Sequence, residues 1–233
     1  MKLTFAEHLA AVCALPIKED VFLQGYADVL QGVARHGVFT LHGLTLEAPA
    51  GVYSPHETSS TRFFMDHFFA LGLHHPVGRV LEIGCGAGGI ALLAARMGSN
   101  VTACDIDAVA VEATRSNAQK NGLSVDVRQS DLFSAFSEDE KFDAILFNQP
   151  FFHVDREIGE HERTLSDFGG KLYERFMEGA KKHLAPGGRV VVAYSNCSNT
   201  AIMNQPGWNM EIRAFDFDAG SNYIRALFNA IPA

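Results

Sequence analysis

The sequence lacks the features that define secreted, metal-bound and membrane-spanning proteins. It has four cysteines among 233 residues, and none of them forms a CxxC pair, so neither a disulfide framework nor a zinc site is predicted. The N-terminus has no basic stretch followed by an apolar run, and no apolar run reaches the roughly 18 residues of a membrane span. We therefore expect a cytoplasmic protein with reduced cysteines, no bound metal and no membrane partner.

Lysine and arginine are also scarce. The chain carries 19 of them against 27 aspartates and glutamates, which gives a formal net charge of −8 at pH 7. Because binding to phosphate-rich nucleic acid requires clustered cationic side chains, this balance disfavours nucleic acid as a partner. With 47% hydrophobic and 20% charged residues, the composition is otherwise that of a globular protein with one sizeable core.

The N-terminal part has a pattern of its own. Apolar residues three and four positions apart in the stretches 3–15 and 19–35 predict one or two helices, with Gly37 as the C-cap. The stretch 38–53 alternates in part and contains His42-Gly43, which predicts a β-hairpin that turns there. We therefore expect residues 1–53 to form a helical and hairpin extension that caps a larger domain over 54–233.

The larger domain is predicted to be α/β. After a helix predicted over 57–71, strand and helix patterns alternate from residue 79, with glycines that close several of the helices. Such alternation gives a mostly parallel sheet with helices on both faces. The last two strands are separated by Asp218-Ala219-Gly220, which favours an antiparallel pair at one edge of a mixed sheet.

Three glycines stand where the first strand of this alternation turns into its helix. The stretch VLEIGCGAGG places them at Gly84, Gly86 and Gly88. Glycine suits such a turn because a cofactor approaches the backbone only where no side chain intervenes, and because a tight turn favours positive φ. Two alternatives stay open: a turn without any ligand, and a nicotinamide dinucleotide site, since Gly89 completes the G-x-G-x-x-G spacing.

Three acidic residues accompany the turn. Glu82 lies inside the strand, where a carboxylate is costly to bury unless a cation pairs with it. Asp105 ends the next strand, where a carboxylate can accept hydrogen bonds from ribose hydroxyls. Asp131 follows the third strand, where it can accept a hydrogen bond from an adenine amino group. Together they indicate a site for an adenosyl compound with a cationic amino-acid tail.

The apolar strand predicted over 142–147 ends on Asn148-Gln149-Pro150-Phe151. An amide or exocyclic amine nitrogen is a poor nucleophile because its lone pair is delocalised. The Asn148 side-chain oxygen and a backbone carbonyl can accept its two N–H bonds and hold it for attack on an electrophile. Pro150 has no N–H, so its turn presents carbonyls without a competing donor, and Phe151 can stack on a planar substrate.

The same tripeptide recurs as Asn204-Gln205-Pro206, where no apolar strand precedes it and Gly207 follows. We interpret this copy as a surface turn. The position after a core strand, rather than the tripeptide itself, therefore identifies 148–151 as a candidate site.

Taken in order, these motifs resemble those of class I S-adenosylmethionine-dependent methyltransferases, over roughly residues 50 to 233. Within that class, 148–151 resembles the NPPY-type motif of enzymes that methylate nitrogen, such as the release-factor glutamine and RNA guanine methyltransferases. The resemblance implies a Rossmann-like fold with a mixed seven-stranded sheet in the order 3-2-1-4-5-7-6. Gln149 departs from the pattern, since the family usually has proline or another small residue there.

The resemblance also implies roles for individual residues. It implies that S-adenosylmethionine is the cofactor and is bound by Glu82, Gly84, Cys85, Gly86, Gly88, Asp105, Asp131, Leu132 and Asn148. It implies that Asn148, Pro150 and Phe151 are catalytic. We add Tyr53, Gln149 and Phe152 as candidate substrate-binding residues.

The methyl acceptor is less constrained. The segment 153–167 holds five acidic residues against two arginines, as expected of a solvated loop or of a lid over a cationic substrate. We expect a small molecule with an amine, amide or guanidino nitrogen, and neither nucleic acid nor a membrane as partner. Protein glutamine, an RNA or DNA amine, and a module that binds S-adenosylmethionine without catalysis are the alternatives.

Overall fold

The computed structural model describes residue 15 and residues 17–154, 165–168, 171–198 and 205–233. The helix predicted over 3–15 therefore lies almost entirely outside the described residues, as do Asn204 and the middle of the acidic segment 153–167. The described residues form a sheet of seven strands and two smaller sheets of two strands each.

The N-terminal extension contains a helix and a hairpin, as predicted. Helix α1 spans Glu19–Val33, and strands β1 (Gly37–Leu41) and β2 (Leu44–Ala48) pair in antiparallel register. His42 and Gly43 connect them with φ of 47° and 73°, the two positive values of a tight hairpin turn that matches the twist of the strands. The boundary at residue 53 stays a prediction.

The remaining elements alternate as the sequence indicates. They are α2 (Ser60–Asp66), β3 (Arg79–Ile83), α3 (Gly89–Arg96), β4 (Asn100–Asp105), α4 (Ala108–Lys120), β5 (Asp126–Gln129), β6 (Phe142–Phe147), β7 (Phe152–Val154), β8 (Ser166–Phe168), α5 (Lys171–His183), β9 (Leu184–Ser195), β10 (Trp208–Asp218) and β11 (Tyr223–Pro232). The large sheet has the order β10-β11-β9-β6-β3-β4-β5. Strands β3, β4, β5, β6 and β9 are parallel, and β11 is antiparallel to both of its neighbours. The predicted fold and strand order are confirmed.

Alternating side chains of the central strands supply two cores, one on each face of the sheet. On β6, Ala144 and Leu146 pack with α2, α3 and α4 on one face, whereas Ile145 and Phe147 pack with α5 on the other. Because alternate side chains of a central strand enter opposite cores, apolar residues are favoured at successive positions. This explains the apolar run at 144–147, which follows Asp143 near the start of the strand.

Helix α2 is shorter than the predicted 57–71. It begins where Ser59 caps its N-terminus by accepting a hydrogen bond from the Arg62 N–H at 3.1 Å. Helix α5 ends at His183, and β9 begins at once. The pairing of β6 with β9 shifts register between Phe142 and Ala144, which accommodates Pro186-Gly187-Gly188 as an irregularity inside the strand.

Candidate active site

A cavity of about 1020 Å³ opens at the carboxyl ends of β3, β4 and β6. Ligands in open α/β sheets bind at this end of the strands, and small-molecule cavities occupy roughly 300 to 1,000 Å³. Of the site residues predicted from the sequence, all except Gly88 line the cavity. The structure therefore brings together residues that lie as far apart in the chain as Tyr53 and Phe152.

The three glycines of the turn have different surroundings. All adopt positive φ, 66° at Gly84, 53° at Gly86 and 81° at Gly88. A side chain at Gly84 or Gly86 would meet nothing in the protein closer than 3.5 Å, whereas one at Gly88 would lie 2.8 Å from the Thr114 Cγ2. Gly84 and Gly86 thus leave room for a ligand, and Gly88 leaves room for the packing of α4.

This difference predicts the stability of two variants. Gly88→Ala should lower the free energy of unfolding by about 2–6 kcal/mol, because positive φ costs about 1–3 kcal/mol and overpacking a further 1–3. Gly122→Ala is the matched control, since Gly122 has φ of 65° and nothing within 4 Å of an added Cβ. Urea denaturation of both variants measures the difference, and an equal loss in the two would contradict the packing role of Gly88.

Polar side chains of α4 hold the backbone of the turn. The Thr114 hydroxyl donates to the Gly86 carbonyl at 2.9 Å, and the Asn117 amide donates to the Ala87 and Glu47 carbonyls, both at 2.9 Å. Both side chains are fully buried. Sequence reasoning missed them, although polar residues three apart on the inward face of an amphipathic helix are a signal of such a role.

Glu82 is buried at 2% exposure, and its Oε2 accepts a hydrogen bond from the Ala91 N–H at 2.7 Å. Ala91 lies in the first turn of α3, so the positive end of a helix already stabilises the carboxylate in part. Burial nevertheless raises the pKa of Glu82 well above its ordinary value; the Ala91 N–H opposes the rise and Asp105 adds to it. A cationic ligand group in the cavity would relieve the remaining cost.

Asp105 has a role within the protein as well as toward a ligand. Its two oxygens accept hydrogen bonds from the Gly86 N–H at 2.9 Å and the Asp107 N–H at 3.0 Å. Burial raises the pKa of Asp105, against the lowering effect of these two N–H groups. Each carboxylate oxygen can accept a second bond, so ribose hydroxyls remain compatible with this arrangement.

Asp131 and Leu132 lie on the other side of the cavity. Asp131 forms an exposed ion pair with Arg175 of α5, Oδ2 to Nη2 at 2.8 Å. Leu132 has φ of 50°, a strained value for a leucine, and its carbonyl accepts a hydrogen bond from the Ser130 hydroxyl at 2.8 Å. Both residues line the cavity, but their predicted contacts to adenine stay predictions.

Cys85 is the one cysteine among the predicted site residues. It is buried, and its Sγ lies 3.3 Å from the Thr114 Oγ1, whose proton goes to the Gly86 carbonyl. Burial, reinforced by Asp105 and Glu82, raises the pKa of the thiol well above its ordinary value. Cys85 is therefore a neutral thiol that shapes the turn, and not a nucleophile.

Asn148 is positioned by the first turn of α2. Its Nδ2 donates to the hydroxyls of Ser60 at 3.0 Å and of Thr61 at 3.3 Å. Its Oδ1 is buried and has no hydrogen-bond partner among the described residues. A buried acceptor without a donor is costly, and an N–H group of a ligand in the cavity would satisfy it.

The Gln149 side chain points toward the sheet. It is buried at 4% exposure, and its Nε2 donates to the Ala193 carbonyl of β9 at 3.0 Å. The departure from the family pattern therefore ties the turn to the neighbouring strand. Pro150 and Phe151 line the cavity beside it, half-buried.

Phe152 and Tyr53 belong to one apolar cluster with residues of α1. Phe152 makes edge-on ring contacts with Phe22 and Tyr26 of α1, at centroid distances of 5.4 and 5.0 Å. Its N–H donates to the Leu165 carbonyl at 2.9 Å, and β7 continues in parallel with β8. Phe152 is thus held by protein contacts on several sides, and its predicted contact with the substrate stays a prediction.

Comparison with known proteins identifies the family. The family model of the methyltransferase small domain matches residues 43–214. The chain belongs to this family. The match confirms the predicted class, an S-adenosylmethionine-dependent methyltransferase domain, with the cofactor of that class.

Relatives of this methyltransferase domain act on RNA. This chain is 34% identical over 171 residues to the ribosomal RNA small subunit methyltransferase C of Chromohalobacter salexigens, and the match covers 73% of this chain and 46% of that protein. It is 37% identical over 116 residues to the tRNA (guanine(10)-N2)-dimethyltransferase of Methanothermobacter thermautotrophicus, covering 49% and 32%. The chain therefore spans less than half the length of these curated relatives.

Solved structures show the same fold. The 16S rRNA N2 G1207 methyltransferase of T. thermophilus, in complex with AdoMet and guanosine, superposes with a TM-score of 0.66 at 20% identity, over 85% of this chain and 50% of that chain. A ribosomal protein L11 methylase of Lactobacillus delbrueckii superposes with a TM-score of 0.52 at 18% identity, over 76% and 80%.

The relatives contradict the predicted partner. A small molecule was expected and nucleic acid was not, whereas the curated relatives are ribosomal RNA and tRNA methyltransferases. The expectation was wrong because net charge sums over a whole chain, while an RNA base is recognised at close range by stacking and by hydrogen bonds to its edges. The cavity lining holds the cationic Lys171 and Arg175 beside six acidic residues, and Arg175 pairs with Asp131, so the lining is not cationic as a whole.

Two absences, of membrane-spanning helices and of metal-binding clusters, apply to the described residues alone. None of their helices has both the length and the apolar character needed to cross a membrane. No group of three or more His, Cys, Asp or Glu side chains among them could hold a metal ion.

Proposed function

We propose that this chain transfers a methyl group from S-adenosylmethionine to an exocyclic amine of a guanine base in RNA. The observation that carries the proposal is the buried Asn148 Oδ1, an acceptor without a partner among the described residues, on a residue that lines the same cavity as the glycine turn. The relatives named as ribosomal RNA and tRNA guanine methyltransferases support RNA as the source of the amine.

The residues around the cavity suit the cofactor. Gly84 and Gly86 leave its backbone side open, and Glu82 offers a buried carboxylate to a cationic amino group. Asp105 keeps acceptor capacity for ribose hydroxyls beyond its bonds to Gly86 and Asp107. S-adenosylmethionine supplies an electrophilic methyl group on a sulfonium centre.

The turn at 148–151 would hold the acceptor. Asn148 Oδ1 accepts one N–H of the amine, and a backbone carbonyl of the turn accepts the other, which fixes the nitrogen for attack. Phe151 offers a ring face on which a base can stack. Methylation makes the nitrogen more acidic, so its proton can leave to solvent without a dedicated general base.

Helix α1 would close one side of the site. Its residues Gly25, Asp28 and Val29 line the cavity, and its rings Phe22 and Tyr26 pack on Phe152 directly after the turn. These contacts support the role of residues 1–53 as a cap over the domain 54–233.

Transfer of labelled methyl groups to a panel of acceptors tests the proposal. The panel contains small-subunit ribosomal RNA, tRNA, single-stranded DNA, a glutamine-containing peptide and free amino acids. We expect label in RNA, and N2-methylguanosine as the labelled nucleoside after digestion and mass spectrometry. Label in the peptide or the amino acids alone, or on a ring carbon of RNA, would overturn it.

A further inference from the structure

The Asn148 amide ends a chain of hydrogen bonds that begins at Tyr53. The N–H and the hydroxyl of Ser60 both donate to the Tyr53 hydroxyl oxygen, at 3.3 and 3.4 Å. The Ser60 and Thr61 hydroxyls in turn accept from the Asn148 Nδ2, at 3.0 and 3.3 Å. Ser60 and Thr61 are 8% and 9% exposed, so little water reaches them.

The hydrogen bonds of this series are donated in one direction, from Asn148 to Ser60 and from Ser60 to Tyr53. A hydroxyl has one proton to donate, and an amide nitrogen only donates while an amide oxygen only accepts. Because Ser60 gives its proton to Tyr53, it offers Asn148 only lone pairs. A half-turn of the Asn148 amide would place its oxygen beside the lone pairs of Ser60 while Ser60 donates to Tyr53, and it would leave the Nδ2 buried where Oδ1 now lies.

We propose that Ser60 and Thr61 are positioning residues that keep the Asn148 carbonyl oxygen turned toward the methyl acceptor. They occupy the Asn148 Nδ2 and leave only its oxygen for a ligand, so the site selects an N–H donor such as an exocyclic amine over a carbonyl. This inference rests on the proposed function for the identity of the acceptor, but not for the orientation of the amide.

The first turn of α2 is itself anchored, as a positioning element requires. Ser59 caps the helix, and Arg225 of β11 donates to the Thr58 carbonyl at 3.0 Å while its guanidinium lies 4.5 Å from the centre of the Phe63 ring. Ser60 and Thr61 are therefore fixed by contacts that do not involve Asn148.

Two double variants test the proposal, and the second of them is isomeric with the wild type. Ser60→Ala with Thr61→Ala removes both hydroxyls, and Ser60→Thr with Thr61→Ser exchanges them and keeps both. We expect the alanine pair to lower kcat on RNA roughly ten- to a hundredfold, since an unpaired buried Nδ2 would turn toward the cavity. KM and the Kd for S-adenosylmethionine should change less than about threefold, and the exchanged pair should keep kcat within about threefold.

The Asn148→Asp background separates orientation from a general loss of structure. A carboxylate presents an oxygen in either orientation, so the alanine pair should lower kcat less than about threefold in this background. An alanine pair with full activity, an exchanged pair as impaired as the alanine pair, or an undiminished effect in the Asn148→Asp background would each overturn the proposal.

A measurement without turnover tests the orientation by itself. The side-chain NH2 resonances of Asn148, assigned by their loss in Asn148→Asp, should exchange slowly with water in the wild type and the exchanged pair, and rapidly in the alanine pair. Rapid exchange in the wild type would overturn the inference. A wild type with slow exchange but no transfer to RNA would instead contradict only the proposed function.

Discussion

Replacement of Asn148 by alanine is expected to lower kcat for methyl transfer by about 10²- to 10³-fold. The variant loses the acceptor that holds one N–H of the substrate amine, and removal of a single preorganised polar group of this kind typically costs that much. The Kd for S-adenosylmethionine should stay within about threefold, because Glu82, Asp105 and the glycine turn remain. Single-turnover kinetics and titration calorimetry measure the two quantities.

The matched control is Asn209→Ala. Asn209 is exposed on β10 and does not line the cavity, so its variant should have wild-type kcat. Urea denaturation should show a loss of about 1 kcal/mol or less for Asn148→Ala, since the Ser60 and Thr61 hydroxyls can pair elsewhere. Unchanged methyl transfer by the Asn148→Ala protein would remove the basis of the proposed function.

Much of the fold follows from short-range patterns in the sequence. Alternation with a period of two, unbroken apolar runs and closing glycines are local consequences of backbone geometry, and they predict β6, the turn at Gly84 and the hairpin at His42-Gly43. The order of the strands came from the resemblance to a family, because pairing between strands depends on contacts across the whole chain.

The orientation of the side chains in the site could not be predicted from the sequence. Asn148 is oriented by Ser60, which lies 88 positions earlier in the chain, and Gln149 by a carbonyl 44 positions later. Neither Ser60 nor Ala193 belongs to a sequence motif that would indicate this role. Ser60 and Thr61 look like ordinary residues at a helix start, and Gln149 looks like a polar residue available to a substrate, until the fold places β9 and α2 beside the turn.

The sequence predicted that the Glu82 carboxylate is buried and needs a partner, but it did not reveal every group that stabilises the carboxylate. Sequence reasoning asked for a cation to pair with it, whereas the structure also supplies the Ala91 N–H at the start of α3. Since one hydrogen bond does not offset full burial, the pKa of the carboxyl stays raised. The residual cost is a stability penalty in the free protein and a source of affinity for a cationic ligand.

Replacement of Glu82 by glutamine should therefore change stability and cofactor affinity in opposite directions. The glutamine oxygen can still accept from Ala91, but the buried charge is gone, so the free energy of unfolding of the free protein should rise at neutral pH. The Kd for S-adenosylmethionine should rise by about 30- to 1,000-fold, because a cationic amino group would be buried without its counter-charge.

The pH dependence of the unfolding free energy gives an independent test of whether Glu82→Gln is stabilising. Because the pKa of Glu82 is raised on folding, the folded protein holds a proton that the unfolded chain has released above its ordinary value of 4.5. The unfolding free energy of the wild type therefore falls as pH rises from 4.5 to the raised pKa, by up to about 1.4 kcal/mol per pH unit from this group. Glu82→Gln lacks that contribution, so its advantage over the wild type should grow with pH across this window and then level off.

Glu178→Gln is the control for the change in net charge. Glu178 is exposed on α5, so its variant should have an unfolding free energy within about 0.5 kcal/mol of the wild type and an unchanged Kd. Urea denaturation between pH 4.5 and 8, with calorimetry at pH 7, compares the three proteins. A Glu82→Gln protein that is less stable than the wild type at every pH would show that the carboxylate is needed by the fold rather than held for the cofactor.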